Sequence, residues 1–126
     1  MKSSLLVVII TVVFISFASL THNKINDFSN EYLDNFKAIE SDIINNDWDK
    51  ANTLLSQAIK DLEKEKYIWY KLINHGYFNE IFMSMQILNT GIYLENKMIS
   101  LQELEKIKMT LQNLMEDELC NFNRIF

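Results

Sequence analysis

Proline is absent from the 126 residues, glycine occurs twice, and there is one cysteine and one arginine. Without proline, and with so little glycine, the chain lacks the turn residues that punctuate an all-β fold. It also lacks the glycines of a phosphate-cradling loop. One cysteine excludes an intrachain disulfide framework. Cys120, beside Leu119 and Phe122, is expected to be a small apolar residue, with pairing between two copies as the alternative. The chain carries 12 basic and 17 acidic residues, a net charge of −5. An acidic chain with a single arginine lacks the basic footprint of a nucleic-acid binder.

What is abundant is apolar: 48% of all positions. Leu5–Leu20 is almost uniformly so, and no charge falls between Lys2 and Lys24. As a helix, the uncharged stretch Ser3–Thr21 is about 28 Å long, close to the thickness of a bilayer core. A soluble core helix would carry a polar stripe, and this one has none. Residues 1–21 are therefore expected to be a transmembrane anchor. The alternative is a cleaved signal peptide, for which Ser16-Phe17-Ala18 supplies a small-x-small site. In either case Lys2 stays in the cytoplasm and residues 22–126 are exported as an extracytoplasmic domain. The remaining chain is large enough for one domain and too small for two.

The rest is helical in period. Ile25, Phe28, Tyr32, Phe36, Ile39 and Ile43 form a first stripe, with no glycine or proline separating it from the apolar segment. Asn45-Asn46-Asp47 interrupts it, and Asp47 suits an N-cap. Trp48, Ala51, Leu55, Ala58, Leu62, Trp69 and Leu72 follow a heptad seam broken only by Glu65, so Trp48 and Trp69 are expected to share one buried face. Asn74-His75-Gly76 reads as the end of that helix, with Gly76 in the left-handed conformation. Phe78, Ile81, Met85, Leu88 and Ile92 form a third stripe. Within it Gly91 marks a close helix approach or a bend. Asn96-Lys97 is a turn, and Ser100-Leu-Gln-Glu103 has the pattern of a capping box. Leu104, Ile107, Leu111 and Leu114 form the fourth stripe, which Glu116-Asp117-Glu118 is expected to close. The fold class is thus all-α: a membrane helix followed by an antiparallel bundle of about four amphipathic helices.

Chemistry is scarce. His22 and His75 are far apart, and no Glu-x-x-His pair of a bundle metal site is present. No spacing nominates a nucleophile and its base. No catalytic residue, metal or cofactor is expected, and the protein is read as non-enzymatic. The residues that stand out are Trp48, Trp69, His75, Gly76 and Tyr77. Tyr67, Trp69, Tyr70, Tyr77 and Phe78 surround His75 in sequence. Its ring is expected to serve a helix end or a backbone carbonyl; the alternative is a binding spot. The tryptophans are core anchors or interface anchors.

The series of Asp47-Trp48-x-x-Ala51, Trp69, Asn74-His75, Ile81 and the terminal Asn123-Arg-Ile-Phe126, behind an apolar segment, resembles an uncharacterised family. Its members are small, N-terminally anchored helical proteins of clostridia and related spore-forming bacteria, grouped as a domain of unknown function. The resemblance implies location and architecture, and no activity. Two functions follow as expectations. One is an anchored module that binds a membrane or envelope protein, or a second copy of itself; the other is a small-ligand-binding or sensory bundle.

Overall fold

The computed structural model describes residues 2–72 and 75–125, with backbone alone at 21, 22, 72 and 118–125. Cys120, His22 and the side chains of the terminal Asn123-Arg-Ile-Phe126 lie outside the described side chains, as does Asn74 altogether. Five helices follow in order: α1 Lys2–Ile44, α2 Trp48–Lys64, α3 Lys66–Leu72, α4 His75–Tyr93 and α5 Lys97–Ile125. No strand occurs among the described residues, so the fold is all-α.

Helix α1 runs 43 residues without a break. Its large apolar side chains from Leu5 to Leu20 are 40–69% exposed, whereas Ile25, Phe36, Ile39 and Ile43 are 0% exposed. One helix thus changes character along its length, apolar on every side and then on one stripe. Within the first part Thr11 donates its hydroxyl hydrogen to the Val7 carbonyl at 2.8 Å, so the polar atom is satisfied inside the helix. By length and composition this helix is apolar enough to cross a membrane.

Helix α1 lies against α2 and α5, and α4 lies against the same two. The expected stripes all face the shared core: Ile25 to Ile43 from α1, Ala51, Leu55, Ala58 and Leu62 from α2, Phe78 to Ile92 from α4, and Leu104 to Leu114 from α5. Lys108 of α5 bridges Glu105 at 2.7 Å and Glu40 of α1. Hydrogen bonds to Glu105 and then Glu40 raise its pKa above the ordinary lysine value.

Both long reversals use one device. At the end of α1, Asn46 takes a positive φ of 60°. Its N–H donates to the Ile43 carbonyl at 3.0 Å, and the Asp47 N–H reaches back to Asp42 at 2.7 Å. At the end of α4, Glu95 has φ 51°. The Glu95 and Asn96 N–H groups donate to Ile92 and Gly91 at 3.0 and 2.9 Å. These are paired backbone closures around a left-handed residue, made here without glycine. In each case the next residue caps the following helix. Asp47 Oδ1 accepts from Lys50 N at 3.3 Å, and Asn96 Oδ1 from Ile99 N at 3.0 Å. Lys97 Nζ then donates to the Ile44 carbonyl at 3.2 Å, which binds the two reversals together at one end of the domain.

Four expectations are corrected. Helix α5 begins at Lys97, so Ser100 and Glu103 sit inside the helix and form no capping box. Asn96, already committed by the backbone closure before it, takes the cap. Glu116-Asp117-Glu118 does not end α5, which continues to Ile125. The seam from Trp48 to Leu72 is two helices, broken at Glu65, whose φ of −94° and ψ of 2° depart from the helix. Gly76 is the second residue of α4, and no glycine has a positive φ.

Gly91 is where the fold tolerates no side chain. A Cβ there would stand 2.8 Å from the buried Ser100 Oγ and 3.4 Å from both Ile99 Cγ2 and the Ser100 backbone N. Gly91→Ala is expected to destabilise by about 1–3 kcal/mol, although alanine is the better helix former. Ser100 Oγ has no hydrogen-bond partner. Removing it with Ser100→Ala in the same chain should therefore recover much of the loss, a coupling that urea denaturation of the two single variants and the double variant measures.

Candidate functional site

The aromatic side chains gather where α3 meets α1 and α4. Trp69, 4% exposed, is pressed on Phe28 with ring centroids 3.9 Å apart. Phe28 continues to Tyr32 at 4.6 Å, and Tyr32 to Phe36 at 6.2 Å. Next to Trp69 on α3, Tyr70 meets Phe78 at 4.9 Å and His75 edge-on at 4.4 Å. Phe78 in turn stacks near Phe82. Rings three and four residues apart on α1 and α4 fall on one helix face, which is why two separate ladders form and α3 is held between them.

The break at Glu65 makes this geometry. A carboxylate on the buried seam would lose its water, at a cost of several kcal/mol if left unpaired. With the helix interrupted, Glu65 is half-buried and its Oε2 accepts the Trp69 indole N–H at 2.9 Å. Its charge, with those of Asp61 and Glu31, adds to the effect of burial on Tyr32, whose pKa is pushed well above the ordinary phenol range. Tyr32 is thereby held neutral, and its hydroxyl has no hydrogen-bond partner.

The polar atoms of the second ladder also serve the fold. His75 Nε2 lies 2.8 Å from the Tyr70 carbonyl oxygen. A carbonyl can only accept, so that nitrogen carries the proton. Tyr70 donates its hydroxyl hydrogen to Asn79 Oδ1 at 2.9 Å. Lys66 Nζ stands 5.3 Å above the Tyr70 ring. Glu63, Lys66, Tyr70, Phe78, Asn79 and Phe82 line a cavity of about 320 Å³. Among the described residues no group of three or more His, Cys, Asp or Glu side chains is arranged to hold a metal ion.

The structure brings Trp69 and His75 to one neighbourhood, joined through Tyr70. Tyr77 is half-buried against the core. Trp48 is at the opposite end of α2 and only partly buried, which corrects its placement as an equal of Trp69. It is the first residue of α2, and no preceding turn of that helix covers it. Gly76 is exposed and helical. Three contributors escape a reading of the sequence: Phe28 as the partner of Trp69, Glu65 as its acceptor, and Asn79. The lone acidic residue on an apolar seam was the available signal for Glu65, because a seam carboxylate four residues before a tryptophan has an N–H within reach.

The arrangement defines an all-α domain that continues from an exposed apolar helix and is stapled by aromatic contacts at the end where that helix enters. The chain belongs to the family described as Domain of unknown function (DUF4363), whose family model matches residues 19–125. No curated protein and no solved structure matches it.

Two substitutions test the aromatic geometry. Trp69→Ala is expected to cost about 3–5 kcal/mol, the range for emptying a large buried aromatic site. Trp48→Ala should cost less, roughly 1–2 kcal/mol, because that side chain is only partly buried against the core. Equal shifts in the urea midpoint would contradict the difference in burial. Gly76→Ala should stabilise by about 0.4–1 kcal/mol, since the position is helical with no positive φ. Loss of stability there would place Gly76 back in a left-handed turn.

Proposed function

We propose that the protein is a non-enzymatic interaction module, held in a membrane by Leu5–Leu20, with residues 22–126 forming an antiparallel helical bundle on the extracytoplasmic side. The observation that carries this reading is the unbroken α1, whose exposed apolar turns run directly into turns buried in the domain core. Twelve exposed leucine, isoleucine, valine and phenylalanine side chains within the sixteen residues Leu5–Leu20 have no favourable surroundings in water. Lys2, ahead of the apolar run, supports an inside N-terminus and an outside bundle. The antiparallel reading is supported by the order of the ties between α1 and α5. Residues 97 and 108 of α5 meet 44 and 40 of α1, so one chain ascends as the other descends.

The non-enzymatic reading is supported by what the candidate residues spend their polar atoms on. His75, Trp69 and Tyr70 each serve a carbonyl, carboxylate or amide within the fold. A partner surface is offered at the end remote from the apolar segment, where Ile44, Tyr93, Leu94 and Met98 are 52–85% exposed around the two bound reversals. Such a cluster fits a membrane or envelope protein, or a second copy of the chain. The cavity beside Tyr70 favours the alternative, a small-ligand-binding or sensory bundle, because its aromatic wall and its Glu63, Lys66 and Asn79 rim have the mixed character of a ligand site.

Protease added to intact protoplasts is expected to degrade the bundle and leave a short membrane fragment; protection until lysis contradicts the topology. A photoreactive side chain at position 93 should give a discrete crosslinked species in living cells, and one at position 109 should not. If position 93 yields nothing while a ligand raises the melting temperature and Phe82→Ala removes that gain, the ligand-binding reading replaces the interaction module.

A further inference from the structure

Helix α3 has two faces, and only one is used by the core. Trp69 and Tyr70 turn inward to the ring ladders, whereas Tyr67 is 83% and Ile68 48% exposed. Lys71 lies one turn on from both, on the same face. These three side chains and Lys24 of α1 line one pocket of about 240 Å³. The seven residues of α3 include two lysines and no acid, in a chain of net charge −5. Glu65, the adjoining acid, is committed to the Trp69 indole.

The height of this pocket is set by α1. Lys24 is four residues beyond Leu20 in the same continuous helix, about 6 Å along the axis. The headgroup layer on each side of a bilayer core is about 5–7 Å deep. When Leu5–Leu20 occupies the hydrocarbon, Lys24 and the face of α3 beside it stand in the headgroup layer. Phe28, one turn further along α1, holds α3 there through Trp69. A tyrosine and an isoleucine flanked by lysines match that layer: the aromatic ring lies at the boundary, and ammonium groups face phosphate.

We propose that the exposed face of α3, together with Lys24, is a lipid-binding site. In it Tyr67 and Ile68 enter the outer boundary of the same bilayer that the anchor crosses, and Lys24 and Lys71 hold the phosphate of an anionic lipid headgroup. The proposal rests on the anchored reading of Leu5–Leu20 and adds a second, electrostatic attachment to it. The two attachments fix the domain about the anchor axis, where one helix alone would leave it free to rotate.

The full chain carrying Cys120→Ala, reconstituted into vesicles, tests this. An environment-sensitive fluorophore is placed through Val12→Cys, Tyr67→Cys, Ile68→Cys or Tyr93→Cys. Vesicles contain phosphatidylcholine alone or with phosphatidylglycerol, and carry nitroxide either on the headgroup or deep in the acyl chain. Positions 67 and 68 are expected to be quenched severalfold more by headgroup nitroxide than position 93. Phosphatidylglycerol should increase that quenching, and Lys24→Gln with Lys71→Gln should remove the increase. Quenching at 67 and 68 no greater than at 93, with position 12 still quenched by the deep nitroxide, overturns the lipid site and leaves the anchor standing. An unquenched position 12 overturns the anchor, and the lipid site with it. If phosphatidylglycerol gives no increase, while inorganic phosphate changes the fluorescence at position 67 in a way that Lys24→Gln with Lys71→Gln removes, the pocket takes a free anion and the lipid assignment is wrong.

Discussion

The unbroken backbone ladder of α1 is the constraint on which the rest depends. Forty-three residues without a glycine, a proline or a cap allow no change of direction between the exposed apolar turns and the buried ones. Everything else in the fold is placed against the second part of that rod. Helices α2 and α5 take its flanks, α4 closes the far side, and α3 is drawn to Phe28 through the Trp69 ring. The transition from all-round apolar to a single stripe occurs within about two turns, between Leu20 and Ile25. No linker separates the segment suited to lipid from the segment suited to a protein core.

Much of this was legible in the residues, because apolar spacing and burial are two descriptions of one physical requirement. All four stripes, from Ile25 through Leu114, face the core. The cap at Asp47 and the turn at Asn96 were legible too, since short polar side chains beside an interrupted stripe have few other roles. The failures are equally physical. Ser100 and Glu103 have capping-box spacing, yet the closure at Glu95 starts α5 one turn earlier and turns Ser100 toward Gly91. The residue type of Gly76 suits a left-handed turn, yet Asn46 and Glu95 perform that task at the real reversals. Residue type expresses what a position tolerates; long-range packing decides which tolerance is used.

The candidate site was less legible than the fold. Spacing alone brings His75 near Tyr70, because they are five residues apart. It cannot bring Phe28 to Trp69, which are forty-one residues apart, or turn the one seam carboxylate toward an indole. Those contacts follow from the break at Glu65, whose cause is the desolvation of a charge. The domain has two unlike ends. One carries lysines and aromatic rings beside the apolar segment, and the other exposes Ile44, Tyr93, Leu94 and Met98 around paired reversals.

The stiffness of α1 makes the chain a lever. The distance from Leu20 to Ile44 along the axis is about 36 Å. In an anchored protein, a change of about 10° in the tilt of the span carries the far end sideways by about 6 Å. Helix α1 has no glycine, proline or break at which such a tilt could be absorbed. Any change in the direction of the exposed apolar turns is therefore carried undiminished to the remote tip, where Ile44, Tyr93, Leu94 and Met98 are exposed.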